Sequence, residues 1–268
     1  MTLLEKLISE KKVGYKGGIY HKLQIDFAYN SNHIEGSRLT HEQTRYIFET
    51  NTIGLSANKS EEIIRINDII ETVNHFKCFD YIIDTNNIPL SVQYLKELHH
   101  MLKINVQDED AVIGDFKREP NCVGDIDTSA PETVETEISA MLSEYNRELS
   151  LYDVAAFHTR YEKIHPFYDG NGRTGRLLMF KQCLENEIMP FYIDDYNKIF
   201  YYKGLKEWQT ENKDERLINV FLDAQDTMQN VLDYFRIDYV REEKTYKAVV
   251  DKHLDNNTLY YFPTTKKY

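Results

Sequence analysis

Apolar residues recur along this chain at intervals of three and four, the period that gathers them on one face of a helix. From Lys59 to Ile83, residues Ile63, Ile66, Ile70, Val73 and Ile82 trace such a stripe. From Asp214 to Phe235 the stripe is Leu217, Val220, Ala224, Met228, Val231 and Phe235. The same spacing predicts helices over Ile19–Ile34, Thr40–Ile53, Val92–Ile104, Glu132–Leu149, Asp153–Ile164, Arg173–Glu187 and Lys198–Gln209. Thr40 with Gln43 three residues on reads as a capping box, and Ser60 precedes an Ile-rich run. One stretch breaks the period. From Val112 to Pro131, Gly114, Pro120, Gly124 and Pro131 separate short apolar pairs, which suits a small hairpin between loops.

The pattern predicts an all-α fold with one small β-hairpin. Three parts are expected: an N-terminal helical region over 1–85 packed on the core, the core itself over 86–240, and a partly ordered polar and aromatic tail over 241–268.

Charge and cysteine usage narrow the setting. The net charge of −12 repels phosphate backbones, so nucleic-acid binding is not expected. Three widely spaced cysteines, Cys78, Cys122 and Cys183, suit neither a disulfide framework nor a cysteine metal site. They fit a reducing compartment. No stretch has the length of a membrane span, and MTLLEKLISEKK at the N-terminus lacks the apolar core of a signal peptide. The cytoplasm is the expected location, with no membrane partner.

Candidate chemistry concentrates in HPFYDGNGRTGR, from His165 to Arg176. His165-Pro166 ends one predicted helix, because a residue before proline disfavours the helical region. A second helix follows through Leu177, Leu178, Phe180 and Leu184. The intervening glycines can adopt positive φ and leave backbone N–H groups uncovered. A glycine-rich turn entering a helix is an anion nest, favoured by free amides and the helix dipole. Arg173 and Arg176, three apart, can reach one polyphosphate. Asp169 is placed to hold Mg²⁺, which takes one or two carboxylates plus phosphate oxygens. His165 can accept a proton near neutral pH. A Walker A loop is excluded, since no Gly-Lys-Ser/Thr follows.

This segment resembles the signature HxFx[D/E]GNGRxxR of the Fic family at every defined position. Upstream, Gly114-Asp115-Phe116-Lys117-Arg118 and Pro131 resemble the flap hairpin of that family and the loop after it. Neither Lys117 nor Arg118 receives a role. The resemblance implies a Fic-type helical bundle and a protein adenylyltransferase with ATP as co-substrate. It implies that His165 takes the proton from a target Ser, Thr or Tyr hydroxyl, possibly on the enzyme itself, as that oxygen attacks the α-phosphorus. Asp169 then holds Mg²⁺, Gly170, Asn171 and Gly172 bind phosphate oxygens, Arg173 and Arg176 grip the β- and γ-phosphates, and Phe167 anchors the loop. Related Doc-type kinases carry lysine at the position of Gly172, so glycine favours AMP transfer. AMP removal, phosphorylation and phosphocholine transfer remain alternatives on the same fold, and a homo-oligomer remains open.

Ser31-Asn32-His33-Ile34-Glu35-Gly36 carries a second resemblance. By physics alone, Gly36 stops the helix over Ile19–Ile34, and Glu35 at its C-terminal end needs a cation or full solvation. The segment is similar to the Fic inhibitory motif [S/T]xxxE[G/N] in the class with an N-terminal inhibitory helix. There the glutamate pairs with the second signature arginine, which implies Glu35 on Arg176. Tyr201-Tyr202-Lys203-Gly204-Leu205 resembles the family segment near adenine, which makes Tyr202 or Asn197 a candidate base contact, beside the alternative of plain packing. His99-His100 reads as one buried and one exposed residue, and His158 as packing. Target main chain added as a strand to the flap between Val112 and Val123 is the expected mode of recognition.

Overall fold

A computed structural model describes residues 1–53, 64–107, 112–241 and 243–255. In chain order the elements are α1 (Leu3–Val13), α2 (Ile19–Ile34), α3 (His41–Thr50), α4 (Ile66–Asp84) and α5 (Val92–Lys103), then β1 (Cys122–Val123) and β2 (Ile126–Asp127). The chain continues through α6 (Pro131–Glu144), α7 (Leu151–Ile164), α8 (Asn171–Glu185), α9 (Lys198–Glu211), α10 (Glu215–Tyr234) and α11 (Tyr246–Asp255). Among the described residues the expected all-α architecture with one small hairpin is what the chain adopts.

Helix α8 is the centre of the bundle, packed by α7, α4, α5 and α2. Leu177, Leu178, Phe180 and Cys183 are fully buried, because a helix enclosed on all sides needs apolar residues all round rather than one stripe. Phe180 stacks on Phe27 of α2 at 5.2 Å and meets Phe79 of α4 at 5.3 Å. Burying each such ring contributes roughly 1.5–3 kcal/mol, so the first helices share the core of the signature helix. A smaller cluster of Ala28, Leu39, Ile47 and Phe76 holds α3 in place.

Local chemistry sets the boundaries. The Thr40–Gln43 capping box forms in both directions, at 2.8 and 3.1 Å. A second box, Ser150 with Asp153, starts α7 at Leu151, two residues earlier than its apolar stripe. Helix α6 accordingly ends at Glu144 rather than Leu149. Helix α4 begins at Ile66 with Arg65 extended as its N-cap, later than the expected span; Lys59 and the Ser60 cap themselves lie outside the described residues. In the hairpin, Cys122 faces Asp127 and Val123 faces Ile126. Gly124 at φ 60° supplies the positive φ of its two-residue turn.

The expected tail is corrected in part. Residues Tyr246–Asp255 form α11, with Val249 buried and His253 stacked on Tyr152 at 4.2 Å. Its apolar stripe is too short to stand out from a polar sequence. Among the described residues no helix is long and apolar enough to cross a membrane.

Candidate active site

His165 closes α7 with φ 51° and ψ 62°, donating its N–H to the Tyr161 carbonyl at 2.9 Å. Its ring Nδ1 lies 3.3 Å from the Glu162 carbonyl oxygen. A carbonyl only accepts, so Nδ1 carries the proton and Nε2 is the basic nitrogen. Burial pushes the imidazole down to about 4, with the Lys117 ammonium adding to the effect and the Glu162 carbonyl opposing it. The ring is therefore uncharged at neutral pH and able to accept a proton.

The loop after it is locked from inside. Phe167 is fully buried and lies flat on His99 of α5, with centroids 3.8 Å apart and planes 2° from parallel. The Asn171 side chain accepts from the Phe167 N–H and donates to the Phe167 carbonyl, both at 2.8 Å. His99 donates from Nε2 to the Asp169 carbonyl at 2.9 Å and accepts the Gly114 N–H at Nδ1 at 3.0 Å. Gly170, at φ 79°, is the N-cap of α8. The first amides of α8 thus have no helical partners and no side-chain cap, in the manner of an anion nest.

The flap is tied to the same loop. The Lys117 N–H donates to the Pro166 carbonyl at 2.9 Å, and Asn121 donates to the Phe167 carbonyl at 3.0 Å. The buried Lys117 ammonium donates to Asn121 and Thr128, each at 2.7 Å, and to the Ile164 carbonyl at 3.2 Å. Burial pushes this lysine down to about 8, with the Glu137 carboxylate opposing it.

Every charge of the signature has a partner from outside it. Arg176, almost fully buried, donates to Glu35 Oε1 at 2.8 Å, to the Ser31 carbonyl at 2.8 Å and to Ser31 Oγ at 3.1 Å. Burial opposes ionisation of Glu35, but the Arg176 and Arg173 guanidinium groups outweigh it and hold the carboxyl below its usual range. Arg173 meets Glu71 of α4 at 2.6 Å and Asp169 at 3.2 Å. Lys103, the last residue of α5, contacts Asp169 and, at 2.7 Å, Glu71. Burial would raise the Asp169 carboxyl, yet Arg173 and Lys103 hold it far below the carboxylate range. A polar cavity of about 350 Å³ opens beside Glu35, Glu71, Lys103, Asp169, Arg173 and Arg65. The larger cleft, about 830 Å³, runs between α9 and α10 past Asn197 and contains none of these residues.

Residues 89–183 match the Fic/DOC family model. The chain carries a Fic domain. It is 29% identical over 203 residues to the protein adenylyltransferase Fic of Drosophila willistoni, covering 73% of this chain and 37% of the relative. It is 28% identical over 186 residues to that of Nematostella vectensis, covering 67% and 42%. The chain thus spans about two fifths of the length of the curated relatives it matches. In fold it is similar to a Fic domain containing signaling protein from Bacteroides thetaiotaomicron, with TM-score 0.71, 23% identity, and coverage of 90% of this chain and 99% of the other. Fic-1 (residues 134–508) from C. elegans gives TM-score 0.64 at 20% identity, covering 87% and 72%.

Within this Fic domain the structure brings His165, Phe167, Asp169, Gly170, Gly172, Arg173 and Arg176 together at one mouth, with Ser31 and Glu35 laid against them. Gly36, at φ 88°, ends the turn after α2 as its position predicts. Two side chains of the segment are already engaged. The Asn171 side-chain amide is committed to the Phe167 backbone, which leaves its backbone N–H for an anion. Arg173 is held by Glu71. Tyr202 lies beside the C-terminal end of α2, its hydroxyl 3.4 Å from the Ile34 carbonyl. His158 packs inside, bonded to the Tyr201 hydroxyl at 2.7 Å. His99 is buried and His100 exposed, as their spacing implies. His99, Glu71 and Lys103 have site contacts that the sequence reading missed. Helical spacing marks His99 as buried but does not name a partner seventy residues away.

Proposed function

We propose that this chain transfers AMP from ATP to a Ser, Thr or Tyr hydroxyl of a protein, itself included, and that Glu35 restrains the reaction. The observation that carries the reading is His165 at the end of α7, one loop before α8, with its Nδ1 against the Glu162 carbonyl at 3.3 Å so that Nε2 is the basic nitrogen. The target hydroxyl gives its proton to Nε2 as its oxygen attacks the α-phosphorus. The bond from that phosphorus to the bridging oxygen breaks, and pyrophosphate departs. Backbone amides of Gly170 and Gly172 and the two arginines stabilise the charge that moves onto the leaving group.

A lone, partly exposed carboxylate beside a phosphate nest fits Mg²⁺, which prefers few protein ligands and keeps phosphate oxygens. Among the described residues no group of three His, Cys, Asp or Glu side chains could cage a metal without nucleotide. Asp169 would hold the ion, which neutralises phosphate charge when bound.

Glycine at 172 favours AMP transfer over phosphorylation. A Cβ there would meet Glu35 Oε1 at 2.4 Å and the Arg176 guanidinium at 2.9 Å, so a longer side chain and a docked Glu35 exclude each other. Glu35 occupies the arginine that a γ-phosphate needs, which supports restraint. Target main chain pairs with the exposed hairpin edge, and Tyr202 flanks the base. Incubation with ATP labelled on the α- or the γ-phosphate tests the reading: label retained only from α supports AMP transfer, and label retained only from γ overturns it.

A further inference from the structure

The groups around Asp169 form a closed ring of alternating charge. Glu71 contacts Lys103 at 2.7 Å and Arg173 at 2.6 Å, and Asp169 contacts the same two cations. Lys103 and Arg173 have side chains almost fully buried, at 2% and 4% exposure, whereas Asp169 keeps 45%. The exposed member is the one the proposed chemistry assigns to a metal.

We propose that Lys103 is a selectivity residue: its ammonium keeps Asp169 from taking a divalent cation alone, so that metal enters with nucleotide phosphate. The inference rests on Asp169 as the metal ligand in the function proposed above. A free divalent ion at Asp169 would add two positive charges to a ring whose two carboxylates already balance Lys103 and Arg173, and charges this close repel strongly away from bulk water. Nucleotide reverses the sign, because its phosphates supply the missing negative charge and draw Arg173 toward themselves. Glu71 makes the exchange possible. When Asp169 turns to the metal, Lys103 keeps its 2.7 Å contact to Glu71, so no buried cation is stranded, which is the costly outcome in a buried ion pair.

The test titrates Mn²⁺ into the full chain and follows bound ion by electron paramagnetic resonance, with and without a non-hydrolysable ATP analogue. Wild type should bind Mn²⁺ at least about tenfold more weakly without nucleotide than with it. Lys103→Met should tighten nucleotide-free binding by about tenfold or more, since the ring then has two carboxylates against Arg173 alone. Adding Asp169→Ala or Glu71→Gln to Lys103→Met should remove that gain. Lys103→Gln, which keeps reach but loses charge, should behave as Lys103→Met and serves if the latter folds poorly. Folded variants at 103 that bind nucleotide-free Mn²⁺ no tighter than wild type overturn the inference. If Asp169→Ala alone leaves nucleotide-dependent Mn²⁺ binding intact, the metal role of Asp169 fails instead, a distinct result.

Discussion

The Glu35 carboxylate meets the Arg176 guanidinium at 2.8 Å, and Ser31, one turn earlier on α2, holds the same guanidinium by its hydroxyl and its carbonyl. Glu35→Gly should therefore free Arg176 for nucleotide. Self-modification from α-labelled ATP is expected to rise between about 5- and 150-fold, the usual span of a coupling free energy. Unchanged labelling would show that Glu35 does not restrain the site.

Ser31→Ala gives a graded version of the same change. It leaves the buried Arg176 Nε–H without its 3.1 Å acceptor while Glu35 stays in place. Unfolding in urea should show a loss of about 1–3 kcal/mol, with a smaller gain in labelling than Glu35→Gly gives. A gain equal to that of Glu35→Gly would mean that Ser31, not the carboxylate, sets the restraint.

His165→Ala removes the proton acceptor but none of the nest. Transfer should fall by at least about 10²–10⁴-fold, with ATP-analogue affinity near that of the parent. The comparison is best made in the Glu35→Gly background, by single-turnover labelling and calorimetry. Loss of binding in parallel with transfer would point to a structural role for this residue.

Lys117→Met tests the tie between flap and loop. Asn121, Thr128 and Ile164 all lose the ammonium that they accept from. Hydrogen exchange across residues 121–128 should quicken, and stability should drop by about 1.5–3 kcal/mol, the range for hydrogen bonds to a charged group. Unaltered exchange in the hairpin would show that its backbone contacts suffice.

Acid should destabilise the fold well before carboxylates titrate. Burial holds His75 and His158 near 3 and His99 and His165 near 4. Unfolded imidazoles titrate near pH 6.5. The folded values are depressed, so the stability that these residues contribute is complete above pH 6.5 and lost as pH falls toward about 4. Each adds a slope of up to about 1.4 kcal/mol per pH unit. Equal urea midpoints at pH 7.5 and 5.0 would contradict this.

Much of the molecule is legible in its sequence because helical period and turn chemistry are local. The stripe over Ile19–Ile34 coincides with α2, and the Thr40–Gln43 box closes as written. The site was legible where its residues are contiguous, from His165 to Arg176. Glu71 and Lys103 were not, since each sits on an ordinary amphipathic helix and acquires meaning only when α4 and α5 are packed against α8. The Asn171 side-chain bonds were hidden for a similar reason: sequence shows an amide in a glycine turn, but not that the neighbouring backbone engages it. Helix α11 was read as tail because ten residues with few apolar anchors carry little periodic signal.

The seating of Phe27 against Phe180 and Phe79 bears on how the proposed restraint by Glu35 would be lifted. Helix α2 is an inner wall of the bundle, and lifting it off would unroof the aromatic centre. Glu35, the residue that caps it, can leave Arg176 by swinging about its own side-chain bonds while its backbone stays put. Under the proposed restraint, docked and released forms should share one outline in solution, and release needs only a single carboxylate held aside.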